Sequence, residues 1–68
     1  MRKIIGKYVQ AESSGNIWLV TSKRGDNLGE IEWYSPWKQW VFIPSPGTEY
    51  SQDCLVDIAA FMRSLLKQ

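Results

Sequence analysis

Histidine is absent from the chain, which removes the commonest general base and metal ligand from its chemistry. A single cysteine, Cys54, excludes an internal disulfide and a cysteine-based zinc site. Charge of either sign is scarce in excess. Eight basic residues against seven acidic ones leave a net +1, too little to draw phosphate backbones or an anionic membrane broadly. No apolar run approaches the roughly 18 residues of a membrane span. The opening Met1-Arg2-Lys3-Ile4-Ile5-Gly6-Lys7 has no long apolar stretch after its charges, unlike a secretory signal. With only 68 residues and no internal repeat, the expectation is one small soluble domain over 1–68, with no metal and no cofactor.

What is abundant is aromatic and β-branched. Nine aromatic residues, four of them tryptophan, are expected to supply much of the core of so short a chain. Four segments read as strands. Lys3 to Ala11 carries Ile4, Ile5, Tyr8 and Val9, with Gly6 marking a bulge or a close backbone approach. Ile17-Trp18-Leu19-Val20-Thr21 is apolar on both faces, and follows the turn residues Glu12-Ser13-Ser14-Gly15-Asn16. After the polar loop Lys23-Arg24-Gly25-Asp26-Asn27, Leu28 to Tyr34 alternates, and so does Trp37 to Ile43. Pro44-Ser45-Pro46-Gly47 ends the fourth strand.

Pro36 favours one register of the last two strands over the alternative that pairs Trp33 with Lys38 and Gly29 with Phe42, a poorer core. In a turn Ser35-Pro36-Trp37-Lys38 the proline takes the first central position, where its fixed φ fits. Pairing then runs Tyr34–Gln39, Trp33–Trp40, Glu32–Val41, Ile31–Phe42 and Glu30–Ile43. One face becomes Ile31, Trp33, Trp40 and Phe42. The other carries Tyr34, Val41 and Ile43 beside Glu30, Glu32 and Gln39.

The remaining chain predicts a helix. Ser51 is its N-cap, and Asp53 in the first turn suits the positive end of the dipole. Cys54, Ile58, Phe61 and Leu65 form an apolar stripe flanked by Leu55, Met62 and Leu66. Gln52, Asp57, Arg63, Ser64 and Lys67 take the other side, with Lys67 complementing the C-terminal end. The fold class is therefore α+β: a four-stranded antiparallel sheet with one C-terminal helix packed on the Ile31/Trp33/Trp40/Phe42 face, in the order ββββα.

The uncovered face is where function is expected. One helix shields one face, whereas the first two strands carry apolar residues on both. The surplus either binds something, as large apolar patches on soluble proteins do, or is buried by a sheet coiled over on itself. Glu30, Glu32, Tyr34, Gln39, Val41 and Ile43 are the partner-binding candidates.

Catalysis has little to work with. Cys54 lies on the apolar stripe, where a free cysteine acts as a small hydrophobe, and no histidine is present to activate it or any serine or threonine. Glu30 and Glu32 have the spacing of paired acids, yet solvated strand carboxylates are the ordinary explanation. No catalytic residue is assigned, and a non-enzymatic protein is expected. A second reading is a single-stranded nucleic-acid binder that stacks bases on Tyr34 and Trp37 beside Lys23, Arg24 and Lys38. Its weak points are the near-zero net charge and the glutamates on the same face. The tripeptide Arg24-Gly25-Asp26 matches an adhesion motif, but a tight turn accounts for it.

Leu28-Gly29-Glu30-Ile31-Glu32-Trp33-Tyr34, Pro36-Trp37-Lys38-Gln39-Trp40-Val41-Phe42, Pro44, Gly47-Thr48 and Cys54-Leu55 with Ile58-Ala59 resemble a pattern found in short bacteriophage and prophage proteins. The resemblance spans roughly Leu28 to Phe61 and brings no catalytic residues with it. It implies a setting, the bacterial cytoplasm, and a way of working: binding a host protein, such as a component of antiviral defence. Separately, the small size without disulfide or metal and the second apolar sheet face leave a homodimer through the sheet as an expectation.

Overall fold

The computed structural model describes residues 2–6 and 9–66, with the backbone alone for Arg2, Lys3 and Ile4. Tyr8 and Lys67, both used in reading the sequence, lie outside the described residues. The elements are β1 (Arg2–Ile4), β2 (Val9–Ser14), β3 (Ile17–Ser22), β4 (Asn27–Tyr34), β5 (Gln39–Pro44) and α1 (Gln52–Leu65). All strands form one antiparallel sheet in the order β1-β2-β3-β4-β5, each paired with its neighbours in the chain.

The antiparallel sheet with a C-terminal helix is therefore as expected, with one refinement. The first expected strand, Lys3 to Ala11, is folded back on itself: β1 pairs with β2 through Arg2–Glu12, Lys3–Ala11 and Ile4–Gln10, adding a fifth strand. The reversal is held by the Ile5 and Gly6 amides, which donate to the Val9 carbonyl at 3.0 and 3.2 Å. Gly6 also makes the close approach its position suggests. A Cβ there would fall 2.6 Å from Cγ of Asp57 on α1, so a larger residue would have to displace the Asp57 carboxylate.

The β4–β5 register is the one that Pro36 dictates: Trp33 faces Trp40, Ile31 faces Phe42 and Glu30 faces Ile43. The Trp37 amide donates to the Tyr34 carbonyl (3.2 Å) and that of Lys38 to Ser35 (3.1 Å), and Lys38 closes the turn at φ 52°. Between β3 and β4 the register shifts at Val20/Thr21, so that Leu28 is the extra residue of a bulge. Leu28 packs against the core, and Gly29 beyond it adopts φ 151° beneath β5.

One face of the sheet meets α1. Val9, Ala11, Val20 and Ile31 from β2, β3 and β4 are buried there beneath Ile58 and Leu65 of the helix. Pairing of Trp18 with Ile31 and of Ala11 with Val20 puts Trp18 and Val20 on this face, and hence Ile17 and Leu19 on the other. The fully buried layer is thus aliphatic, and the aromatics expected in the core join it only in part: Trp18, Trp40, Phe42, Tyr50 and Phe61 pack against it half-buried, whereas Trp33, Tyr34 and Trp37 stay exposed. Geometry gives the reason. Five strands span about 19 Å between outer strands, whereas a helix with its side chains is about 10 Å wide. The rings extend the shield at its rim in edge-to-face pairs, Trp18 with Phe61 and Phe42 with Tyr50, at centroid separations of 5.1 and 5.5 Å.

The helix is held at its entry by two devices. Ser51 is the N-cap, its Oγ accepting from the Cys54 amide at 3.2 Å, and Asp53 sits in the first turn. Ser51→Ala is expected to cost about 1 kcal/mol, read as a lower denaturation midpoint at unchanged cooperativity. Just before the cap, the Tyr50 hydroxyl donates to the Leu28 carbonyl, clasping the β5–α1 connector to the bulge. The Thr48 hydroxyl donates to Ser45 O at 2.7 Å and lies 3.0 Å from the Tyr50 oxygen.

Candidate interaction surface

The register places the partner-binding candidates together. Glu30, Glu32 and Tyr34 from β4 and Gln39, Val41 and Ile43 from β5 share the face opposite α1, joined by Ile17 and Leu19 from β3. No element covers this face among the described residues: Leu19 is 39% exposed, Tyr34 40% and Ile43 43%. The sheet does not coil over to bury it.

Its pattern is ordered. Leu19, Glu30 and Ile43 form one cross-strand row, and Glu32 with Val41 forms the next, which the register continues to Ile17. Each carboxylate therefore sits between apolar side chains, and the two lie about 7 Å apart along one strand. Neither has a hydrogen-bond or ion-pair partner among the described residues. A carboxylate in a partly apolar surround gains most from a cation that arrives with its own apolar surface.

The nucleic-acid candidates are not brought together. Lys23 and Arg24 stand in the β3–β4 turn, at the end of the sheet opposite the β4–β5 turn with Tyr34, Trp37 and Lys38. The length of β4, roughly 26 Å, separates the two groups, so these residues form no continuous basic rim. Tyr34 and Trp37 pack edge to face at 4.9 Å, each occupying the ring edge or face of the other. Arg24-Gly25-Asp26 forms a tight turn: the Gly25 amide donates to Ser22 O at 2.9 Å, and the Asp26 amide to Ser22 Oγ at 3.1 Å.

Three features escaped the sequence. Ile17 and Leu19 join the open face because Trp18 opposes Ile31, a choice that alternation within an all-apolar strand cannot reveal. Trp33, assigned to the core, is 45% exposed on the helix side. It packs edge to face with Trp40 at 5.7 Å, and with Trp18 and Glu32 it lines a shallow cleft of about 780 Å³. Tyr50 carried no expectation at all, since a lone tyrosine in a connector gives no signal of the carbonyl it will reach. Cys54 lies at the start of α1 against the core, half-buried, as its place on the apolar stripe implies.

No helix among the described residues is long and apolar enough to cross a membrane. No protein family, curated protein or solved structure matches the chain.

Proposed function

We propose that this chain is a non-enzymatic accessory protein that binds another protein through the sheet face opposite α1, covering a surface the partner needs. The observation that carries this reading is the uncovered array of Ile17, Leu19, Tyr34, Val41 and Ile43 around two unpartnered carboxylates, Glu30 and Glu32. The partner that suits it is a protein surface with apolar side chains and two basic groups about 7 Å apart, to match the glutamate spacing. Stacking a second copy face to face would bring two such acidic centres together, which favours a foreign partner here. The likeness of Leu28–Phe61 to small phage and prophage proteins supports a bacterial host protein, with a component of antiviral defence as the working target.

The test compares three forms of the chain for capture from bacterial lysate and for affinity toward whatever the parent captures. Leu19→Lys with Ile43→Lys places charge in the apolar rows, and Glu30→Lys with Glu32→Lys reverses the centre. The expected result is a protein held by the parent, with affinity falling about 30-fold or more in each variant and weakening with salt. Equal binding by all three folded forms, or binding indifferent to salt and to the glutamates, would refute it.

A further inference from the structure

The cleft beside Trp33 is a second surface, at one end of the sheet, and its lining is chemically one-sided. The β3–β4 ladder ends at Trp18–Ile31, whereas the β4–β5 ladder runs on to Tyr34–Gln39. Beyond Trp18, the end of the β2–β3 hairpin and the end of β4 are no longer paired with each other. The cleft of about 780 Å³ opens there. Trp18, Trp33 and Trp40 line it, with Ser13 and Asn16 from the hairpin end and Glu32 from β4.

Three of the four tryptophans in the chain therefore gather at one place. Trp33 and Trp40 meet at 76° with centroids 5.7 Å apart, so the face of one ring and the uncovered part of the other form a corner. Trp18 is fixed from behind by its own edge-to-face contact with Phe61 of α1. An indole face attracts a cation lying within about 6 Å of the ring centroid, more strongly than any other aromatic side chain does. The one charged residue in the lining is Glu32, and no lysine or arginine among the described residues lines the cleft to oppose it. Rings and carboxylate select the same sign of charge.

We propose that this cleft binds a quaternary ammonium group carried by a small molecule of the choline type. The supply of acceptors decides which cation fits. A primary ammonium brings three N–H donors and a guanidinium five, and each needs a partner once water is displaced. The polar side chains here are only those of Glu32, Asn16 and Ser13. A trimethylammonium group has no donor to satisfy, and its methyl groups present a compact, charged, apolar surface that two ring faces can touch together. Ring geometry disfavours a sugar, which stacks on one broad flat face, whereas two indoles at 76° leave a corner. The neutral hydroxyl arm of choline suits the polar hairpin end at Asn16. A carboxylate in that place, as in glycine betaine, would meet the negative field of Glu32. The cleft shares only Glu32 with the face proposed to bind a protein, so either reading can fail without the other.

The full chain is titrated with choline and followed through its indole N–H signals by NMR. Those of Trp18, Trp33 and Trp40 are expected to shift, while that of Trp37, outside the cleft in the β4–β5 turn, stays in place. Saturation is expected with a dissociation constant of about 1 mM or below. The uncharged tert-butyl analogue of choline, with carbon replacing nitrogen, is expected to bind at least about tenfold more weakly. Glycine betaine is expected to bind more weakly than choline as well. Trp33→Leu is expected to abolish the shifts at Trp18 and Trp40, and Trp37→Leu to leave them unchanged. If Trp33→Leu does not fold, the parent chain's preference for choline over its uncharged analogue decides. No saturation by about 10 mM, equal affinity for the uncharged analogue, or shifts spread evenly over all four indoles would overturn the proposal. So would tighter binding of arginine amide or of N-acetylglucosamine than of choline.

Discussion

Gly29→Ala is expected to destabilise the chain by about 2–6 kcal/mol. The glycine follows the β4 bulge at φ 151°, a conformation L-residues rarely adopt, and it lies beneath β5. An added Cβ would meet the Ile43 carbonyl oxygen and lie 2.9 Å from Pro44 Cα and 3.0 Å from Phe42 Cε1. Two of those neighbours are backbone atoms fixed by the β4–β5 ladder, so β5 itself would have to move. Backbone strain of about 1–3 kcal/mol adds to an overpacking cost of similar size. A chain of this length has a total stability of about 3–10 kcal/mol, of which the substitution removes a large part. Near-ultraviolet circular dichroism and urea titration check it. Cooperative unfolding at a urea midpoint close to the parent's would show that β5 relaxes freely and that the close approach is not structurally required.

Ile31→Ala is expected to cost about as much as Trp33→Ala although the tryptophan is by far the larger side chain. Ile31 is wholly inaccessible, opposite Trp18 and Phe42 under the helix. Removing three of its carbons from a site that cannot collapse costs about 2–5 kcal/mol. Trp33 is nearly half exposed and gives up only about half of a tryptophan's burial, about 2–3 kcal/mol, together with its edge-to-face contact with Trp40. Parallel urea titrations on the two variants check it. A loss at Ile31 well below that at Trp33 would contradict the placement of the core under α1.

Local chemistry made the β4–β5 hairpin legible. A proline with one comfortable position in the turn between two alternating strands favours the register that gathers Ile31, Trp33, Trp40 and Phe42 on one side. The helix was legible for the same reason: Ser51, Asp53 and the 54/58/61/65 spacing speak independently and agree. Reading failed where the signal was non-local or absent. Nothing in the residues between Ile4 and Val9 advertises a reversal, because Gly6 alone serves a bulge as well as a turn. The Leu28 bulge is hidden because an apolar residue preceding an alternating strand looks like its first member. That bulge then sets which side Leu19 takes, so the membership of the open face was fixed by pairing across strands and not by either strand alone. The candidates on β4 and β5 were found because their register was, and Ile17 and Leu19 were missed because theirs was not.

The uninterrupted neighbour-to-neighbour order of the strands has a kinetic consequence. Each ladder can close as soon as its own short loop does, so the chain need never bring distant segments together before a reward arrives, and low contact order favours rapid folding. The longest closures in the fold belong to the helix, where Phe61 meets Trp18 across 43 residues and Asp57 stands against Gly6 across 51. Docking of the helix is thereby the natural last event, arriving on a ribbon whose hairpins have already zipped in sequence.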